Sequence, residues 1–136
     1  MADPSVELVG EGTETVSVPN GFTVVDRRIG FECASGDWIE RDYRGVEVEE
    51  VLDGVSLPDE TTHLLVSARD GHVACPAVLD ALDGLLATER DGAPRFVAPG
   101  IAGPRAIKRV ERIEAVTLEP GDDPEEYERV PPDAQE

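Results

Sequence analysis

Aromatic residues, lysine, cysteine and long apolar runs are all scarce in this chain, and each scarcity excludes something. Phe, Trp and Tyr together make up 4% of 136 residues, so a core must be assembled from Val, Leu, Ile and Ala. No apolar stretch approaches the roughly 20 residues that a membrane-crossing helix requires. The opening Met1-Ala2-Asp3-Pro4-Ser5 has neither the basic start nor the apolar centre of a secretory signal, and a cytoplasmic protein is expected. Two cysteines, Cys33 and Cys75, lie 42 positions apart, outside any CxxC or Cys/His cluster. That spacing speaks against a zinc site, and a reducing compartment speaks against a disulfide.

What is abundant is negative charge. Thirty Asp and Glu face 12 Lys and Arg, a formal charge of −18, and the cations are eleven arginines and the single Lys108. Such a field repels nucleic acid and anionic membranes, and neither is expected as a partner. The carboxylates are spread along the chain rather than gathered in one tail, which suits the surface of a protein from a salt-loaded cytoplasm. At molar salt the screening length falls to about 3 Å, so self-repulsion is largely cancelled there and is felt at low salt.

The length fits one domain with a modest core. Alternation at Val6–Val18 around Gly10 and Gly12 predicts two short strands or one kinked strand. Phe22–Val25 and Ile29–Phe31 read as separate β segments, Trp38–Val46 as a strand, and Val48, Val51 and Leu52 as a short helix near 48–53. His63–Ser67 is a strand ended by an Asp70-Gly71 turn, with a short return at Val73–Cys75. Pro76 opens a second helix near 77–83, closed by Gly84. Leu85–Thr88, Arg95–Ala98, Ile107–Val110 and Ile113–Leu118 complete the strands, with a helical turn allowed between the last two. From Glu119 apolar residues vanish, and 119–136 is expected to be an acidic, Pro-containing, disordered tail beyond a folded 6–118. The fold class expected is α+β: a mixed β-sheet with short helices.

Chemistry is concentrated in four pieces. The first is Phe31-Glu32-Cys33-Ala34-Ser35-Gly36-Asp37-Trp38, a thiol in a turn of small residues that can be offered to a metal; soft thiolate suits transition-metal centres. A free cysteine is otherwise a small buried hydrophobe. The second is Tyr43-Arg44-Gly45-Val46-Glu47-Val48-Glu49-Glu50-Val51-Leu52. The third is Ser67-Ala68-Arg69-Asp70-Gly71-His72. The fourth is Asp91-Gly92-Ala93-Pro94-Arg95-Phe96-Val97-Ala98-Pro99, continuing through Gly103-Pro104-Arg105-Ala106-Ile107-Lys108-Arg109-Val110 to Ile113-Glu114.

In this order and spacing the pieces resemble the molybdopterin-binding domain of the sulfite oxidase-type oxidoreductases, over about residues 6–118. The resemblance implies a molybdenum-bearing pterin cofactor and oxo transfer at the metal. It implies Cys33 as the metal ligand at the catalytic centre, with Arg95, Ala106, Ile107 and Lys108 contacting the cofactor. It implies a further contact from Ser67 or Ala68 at the end of the central strand, and one from Asp91, where an asparagine stands in some members. The only lysine of the chain falls on the family's cofactor lysine, a coincidence of about one in a hundred by position counting. A pterin phosphate calls for cations, and Arg95 supplies a planar fork and Lys108 a point charge. If one cofactor touches Cys33, Arg95 and Lys108, they must converge across one cleft.

The chain also departs from the family. Only 32 residues precede Cys33, without the arginine, asparagine and histidine cluster that wraps the far side of the cofactor, and the dimerisation domain is absent. The expected domain is therefore truncated on its N-terminal side, with much of the cofactor cradle and of the pocket for an unidentified small-molecule substrate either missing or supplied by a partner protein. Two functions stay open: a minimal oxidoreductase domain, and a non-catalytic binding or structural module of the same fold. Cys75 is expected to be structural, His63 and His72 to be surface residues, and Trp38 and Tyr43 to be core pieces beside the Cys33 turn.

Overall fold

The computed structural model describes residues 5–18, 21–32, 36–88, 94–99 and 107–129, with backbone alone for Phe31 and Glu32. The candidate residues Cys33, Asp91 and Ala106 lie outside the described residues.

The strands are β1 (Ser5–Val9), β2 (Thr13–Ser17), β3 (Val24–Glu32), β4 (Trp38–Glu47), β5 (His63–Ala68), β6 (Val73–Ala74), β7 (Leu85–Ala87), β8 (Arg95–Val97) and β9 (Val110–Val116); the helices are α1 (Val48–Leu52) and α2 (Val78–Leu82). They form two sheets where one was expected. Sheet A is five-stranded in the order β2-β1-β9-β5-β6, and sheet B is four-stranded in the order β3-β4-β7-β8. Sheet A is mixed, because β1 runs parallel to β9 with Leu8 opposite Ile113, while its other pairs are antiparallel. Sheet B is antiparallel throughout.

The alternation of apolar residues explains the shared face between the sheets; sheet B also buries Ile29, Leu85, Ala87 and Val97 in a second cluster on its other face. Val6 and Leu8 of β1 and Leu64, Val66 and Ala68 of β5 point inward, as does Ile113 of β9. Val46, Leu86 and Phe96 of sheet B meet them in one cluster. Two-residue periodicity then puts Ser67 on the outer face of sheet A and Arg95 on the outer face of sheet B. Helices of five residues do not persist alone. α1 survives because Val48, Val51 and Leu52 are buried on one side and Val48 N donates to Gly84 O at 3.0 Å. Gly45 is required by close approach: a Cβ there would lie 2.2 Å from the Leu86 carbonyl oxygen, in the β4–β7 pairing.

Several sequence expectations change. The two β segments at 22–31 are one continuous strand, paired residue for residue with β4 from Val24↔Val46 to Glu32↔Trp38. Asp26, Arg27 and Arg28 do not interrupt it because this ribbon carries charge on its exposed positions, with Arg28 bridging Glu40 and Asp42. There is no helical turn between 107 and 113; Ile107 bridges Phe96 and β9 starts at Val110. Trp38 is not a core residue: it is 63% exposed, its ring lying against Gly30, where a Cβ would be 2.5 Å from Trp38 Cζ2. His72 is buried rather than superficial, enclosed where the β5–β6 turn folds back. The segment after Glu119 is not a free tail over its described part. Pro124–Tyr127 is a one-turn 3-10 helix, and Arg129 pairs with Val73 at the edge of sheet A, because β6 would otherwise leave backbone groups unpaired. Cys75 is buried, as expected.

Candidate functional site

The two sheets meet where β8, residues 107–109 and the end of β5 come together. Phe96 anchors the meeting point. Its ring is fully buried, and its N–H and carbonyl exchange hydrogen bonds with Ile107 at 2.8 and 3.1 Å. Val110 N donates to Pro94 O at 3.0 Å, locking the segment after Ile107 to the start of β8. Arg95 and Lys108 thus flank one reciprocal backbone pair although thirteen positions apart in sequence. Arg95 is half-buried and stands opposite Ala87, which in turn stands opposite Gly45. Ala87 belongs to a second buried cluster with Ile29, Leu85 and Val97, against which Val25 and Tyr43 pack.

Two cations that sequence reasoning did not assign join them. β5 and β9 slip register between Ser67 and Ala68, and Arg109 is held at φ 57°, a left-handed conformation that side chains other than glycine seldom adopt. Its carbonyl accepts from Arg69 N at 3.2 Å. Backbone strain of this kind costs on the order of 1 kcal/mol and persists only where its surroundings impose it. Here the surroundings are the Phe96–Ile107 pair on one side and the Arg69 amide on the other. The backbones of Arg69, Arg95, Lys108 and Arg109 thus come together at one junction, and these are four of the chain's 12 Lys and Arg residues. Arg69 and Arg109 stood inside the quoted sequence pieces; the signal that could have found them is the scarcity of basic residues itself.

The remaining candidates are distributed differently. Ile107 is fully buried, and both its backbone polar groups are taken by Phe96. Ala68 points into the core, leaving Ser67 as the polar residue of that pair, half-buried on the far face of sheet A. Ser67 and Arg95 leave the core from different sheets, and the structure does not direct them to one point. The expected convergence with Cys33 concerns a residue outside those described.

Charge of the other sign collects elsewhere. A shallow hollow of about 200 Å³ is lined by Thr23, Glu47, Glu49, Glu50 and Asp53 around α1, where Thr23 N donates to Glu50 Oε1 at 2.7 Å. Among the described residues no group of three or more His, Cys, Asp or Glu side chains is placed to hold a metal ion. The strand ends that flank residues 33–35 carry a third feature. Trp38 Nε1 approaches Glu40 Oε1 at 3.4 Å, and Arg28 Nε donates to Glu40 Oε2 at 3.1 Å. The hydrogen bond from Arg28, helped by the one from Trp38, holds the Glu40 carboxyl below its usual range.

No protein-family profile and no curated protein matches this chain. Solved structures do match. One is the sulfane dehydrogenase SoxCD from Paracoccus pantotrophus, with a TM-score of 0.70 and 17% sequence identity over 82% of this chain. The chain spans 38% of the length of that protein's chain. At this identity the likeness is one of fold, and the class it defines is a mostly β domain with two short helices, similar to part of SoxCD. Among the described residues no helix is long and apolar enough to cross a membrane.

Proposed function

We propose that this chain is a molybdopterin-binding oxidoreductase domain of the sulfite oxidase type, in which Arg95 and Lys108 hold the phosphate end of the cofactor and Cys33 supplies the metal ligand. The observation that carries the reading is the reciprocal Phe96–Ile107 pair, which presents Arg95 and Lys108 at one junction. The fold likeness to the sulfane dehydrogenase SoxCD supports it.

The donor set fits an anionic pterin. Arg95 would offer two parallel N–H groups to a phosphate and Lys108 a compact charge, in a chain whose net charge is strongly negative. When bound, such a cofactor supplies two-electron oxo-transfer chemistry at its molybdenum. The chain's own part is to bind and orient: the segment carrying Arg95 and Lys108 is pinned by backbone bonds, and Cys33, which falls between β3 and β4 in sequence, is the thiol that the resemblance assigns to the metal. With the match covering 38% of the neighbour's chain, the rest of the cradle falls to further polypeptide, a partner in the simplest case.

A second reading, a non-catalytic module of the same fold, is favoured by Ser67 and Arg95 leaving the core from different sheets. Metal analysis and ultraviolet–visible absorption of protein from a molybdopterin-competent host separate the two. Molybdenum retained by wild type and lost with Cys33→Ser supports the oxidoreductase domain. Wild-type protein that never carries molybdenum rejects it in favour of the module.

A further inference from the structure

The described part of the acidic C-terminal segment is built as a strap. Glu119 N donates to Asp122 Oδ2 at 2.8 Å and Asp122 N to Glu119 O at 2.9 Å, closing a turn through Gly121, whose φ is 102°. Asp123 then caps the one-turn 3-10 helix by accepting from Glu125 N at 2.9 Å. The chain leaves this helix along the outer side of β6, the edge strand of sheet A. Val73 N donates to Arg129 O at 2.8 Å, and Arg129 N donates back to Val73 O at 2.9 Å. One residue earlier, Glu128 Oε2 accepts from Cys75 N at 3.0 Å, and Cys75 itself is only 4% exposed.

Two physical terms oppose each other in this docking. Three hydrogen bonds cover an edge that would otherwise present unpaired backbone groups. Against them stands charge: Glu119, Asp122, Asp123, Glu125, Glu126 and Glu128 bring six carboxylates and Arg129 one cation onto a body already strongly negative. The 3-10 helix contributes no buried residue, so little apolar contact holds the strap down. Segments held by a few hydrogen bonds with little burial occupy the low-stability end of a fold and open before the core does. Repulsion between exposed carboxylates is the part that salt screens.

We propose that residues 119–129 form a salt-controlled strap, which closes over the edge of β6 and the Cys75 thiol at high ionic strength and releases both at low ionic strength while the body stays folded. This is independent of the cofactor reading, since neither Arg95 nor Lys108 takes part.

The test is thiol labelling of full-length Cys33→Ser protein, in which Cys75 is the one thiol, in low and in molar KCl. Amide exchange at Val73 and Arg129 is followed alongside Leu64 and Val66. The expected result is labelling at least tenfold faster at low salt, with Val73 and Arg129 exchanging ahead of the two core amides. In molar KCl, Glu128→Ala and Arg129→Pro, which remove the carboxylate acceptor and the backbone donor, should each raise the rate severalfold toward the low-salt value. Equal labelling at both salt levels overturns the proposal. So does exchange of Val73 and Arg129 in step with Leu64 and Val66, because the opening would then be global. Labelling unchanged by both variants at molar salt overturns it as well.

Discussion

The basic junction and the acidic hollow lie in the same small molecule and are built on opposite terms. The junction gathers Arg69, Arg95, Lys108 and Arg109 out of only 12 cations, and holds them with reciprocal backbone bonds and a left-handed arginine. The hollow gathers Glu47, Glu49, Glu50 and Asp53 out of 30 carboxylates along a single strand-to-helix passage. Four neighbouring acids are what a chain so rich in Asp and Glu places around a short helix without any further cause. Three separate stretches whose backbones meet at four basic residues, at the cost of a strained Arg109, require long-range structure to hold them. A cluster is informative in proportion to the scarcity of its members and to the structure spent on assembling it.

That contrast can be broken most severely at its anchor. Phe96→Ala removes the buried ring behind the Arg95 and Lys108 pair and should cost about 3–5 kcal/mol, much of the stability of a domain this size. Urea unfolding followed by circular dichroism measures it. A loss of a few tenths would show that the junction is held by something other than Phe96.

Next in size is the charge itself. Arg95→Ala with Lys108→Ala removes two charge-assisted contacts worth together about 3 kcal/mol, so cofactor retention should fall by about a hundredfold. Glu49→Gln in the hollow should leave it unchanged. Molybdenum content after gel filtration is the readout, and equal retention in the double variant and in wild type would remove the junction's assigned role.

A smaller effect is expected at the hollow. Asp53 caps the C-terminal end of α1, where the helix dipole is negative and other carboxylates are near. Asp53→Lys should therefore stabilise the fold by roughly 0.5–1 kcal/mol at low salt and by almost nothing in molar KCl. Wild type should itself melt higher in molar KCl. Thermal melts of both proteins at both salt levels decide the matter; a gain that persists undiminished at molar KCl would point to packing rather than charge.

The smallest expected effect is at the exposed ribbon. Glu40 titrates below the usual value near 4.5 because Arg28 and Trp38 hydrogen-bond its ionised form. A depressed folded-state pKa contributes stability above the unfolded pKa and loses it as pH falls through the folded one, so the window lies below about 4.5. Arg28→Ala should move the Glu40 carboxyl resonance midpoint upward in an NMR titration, with little change in stability at neutral pH. A midpoint unmoved by the substitution would mean that the Arg28 contact is not maintained in solution.

Much of the fold was legible locally. The apolar run at His63–Ser67, stopped by the Asp70-Gly71 turn, located β5, and the spacing of Val48, Val51 and Leu52 located α1; which residues of β5 face inward came only from the structure. Division into two sheets was not legible. It depends on β1 finding β9 across about a hundred residues and on β8 pairing with β7, and alternation within a strand says nothing about its neighbour. Trp38 misled because an aromatic residue beside apolar neighbours reads as core, whereas Gly30 offers its ring a resting place on the outside. For the candidate site, Arg95 and Lys108 could be named from the motif pieces. The place of Ser67 on another sheet face and the burial of Ile107 emerged only from pairing partners.

By itself the sequence determined the charge, the dependence on β-branched and aliphatic core residues, the run of short elements and the rarity of cations. Those are properties of composition and of neighbours along the chain. Tertiary structure alone decided that the Arg69 amide meets the Arg109 carbonyl, that Arg109 adopts a left-handed backbone, and that Glu128 reaches Cys75 across 53 positions. The physical reason is common to all three: each rests on hydrogen bonds between segments remote in sequence, which form only once two sheets have closed over a shared core.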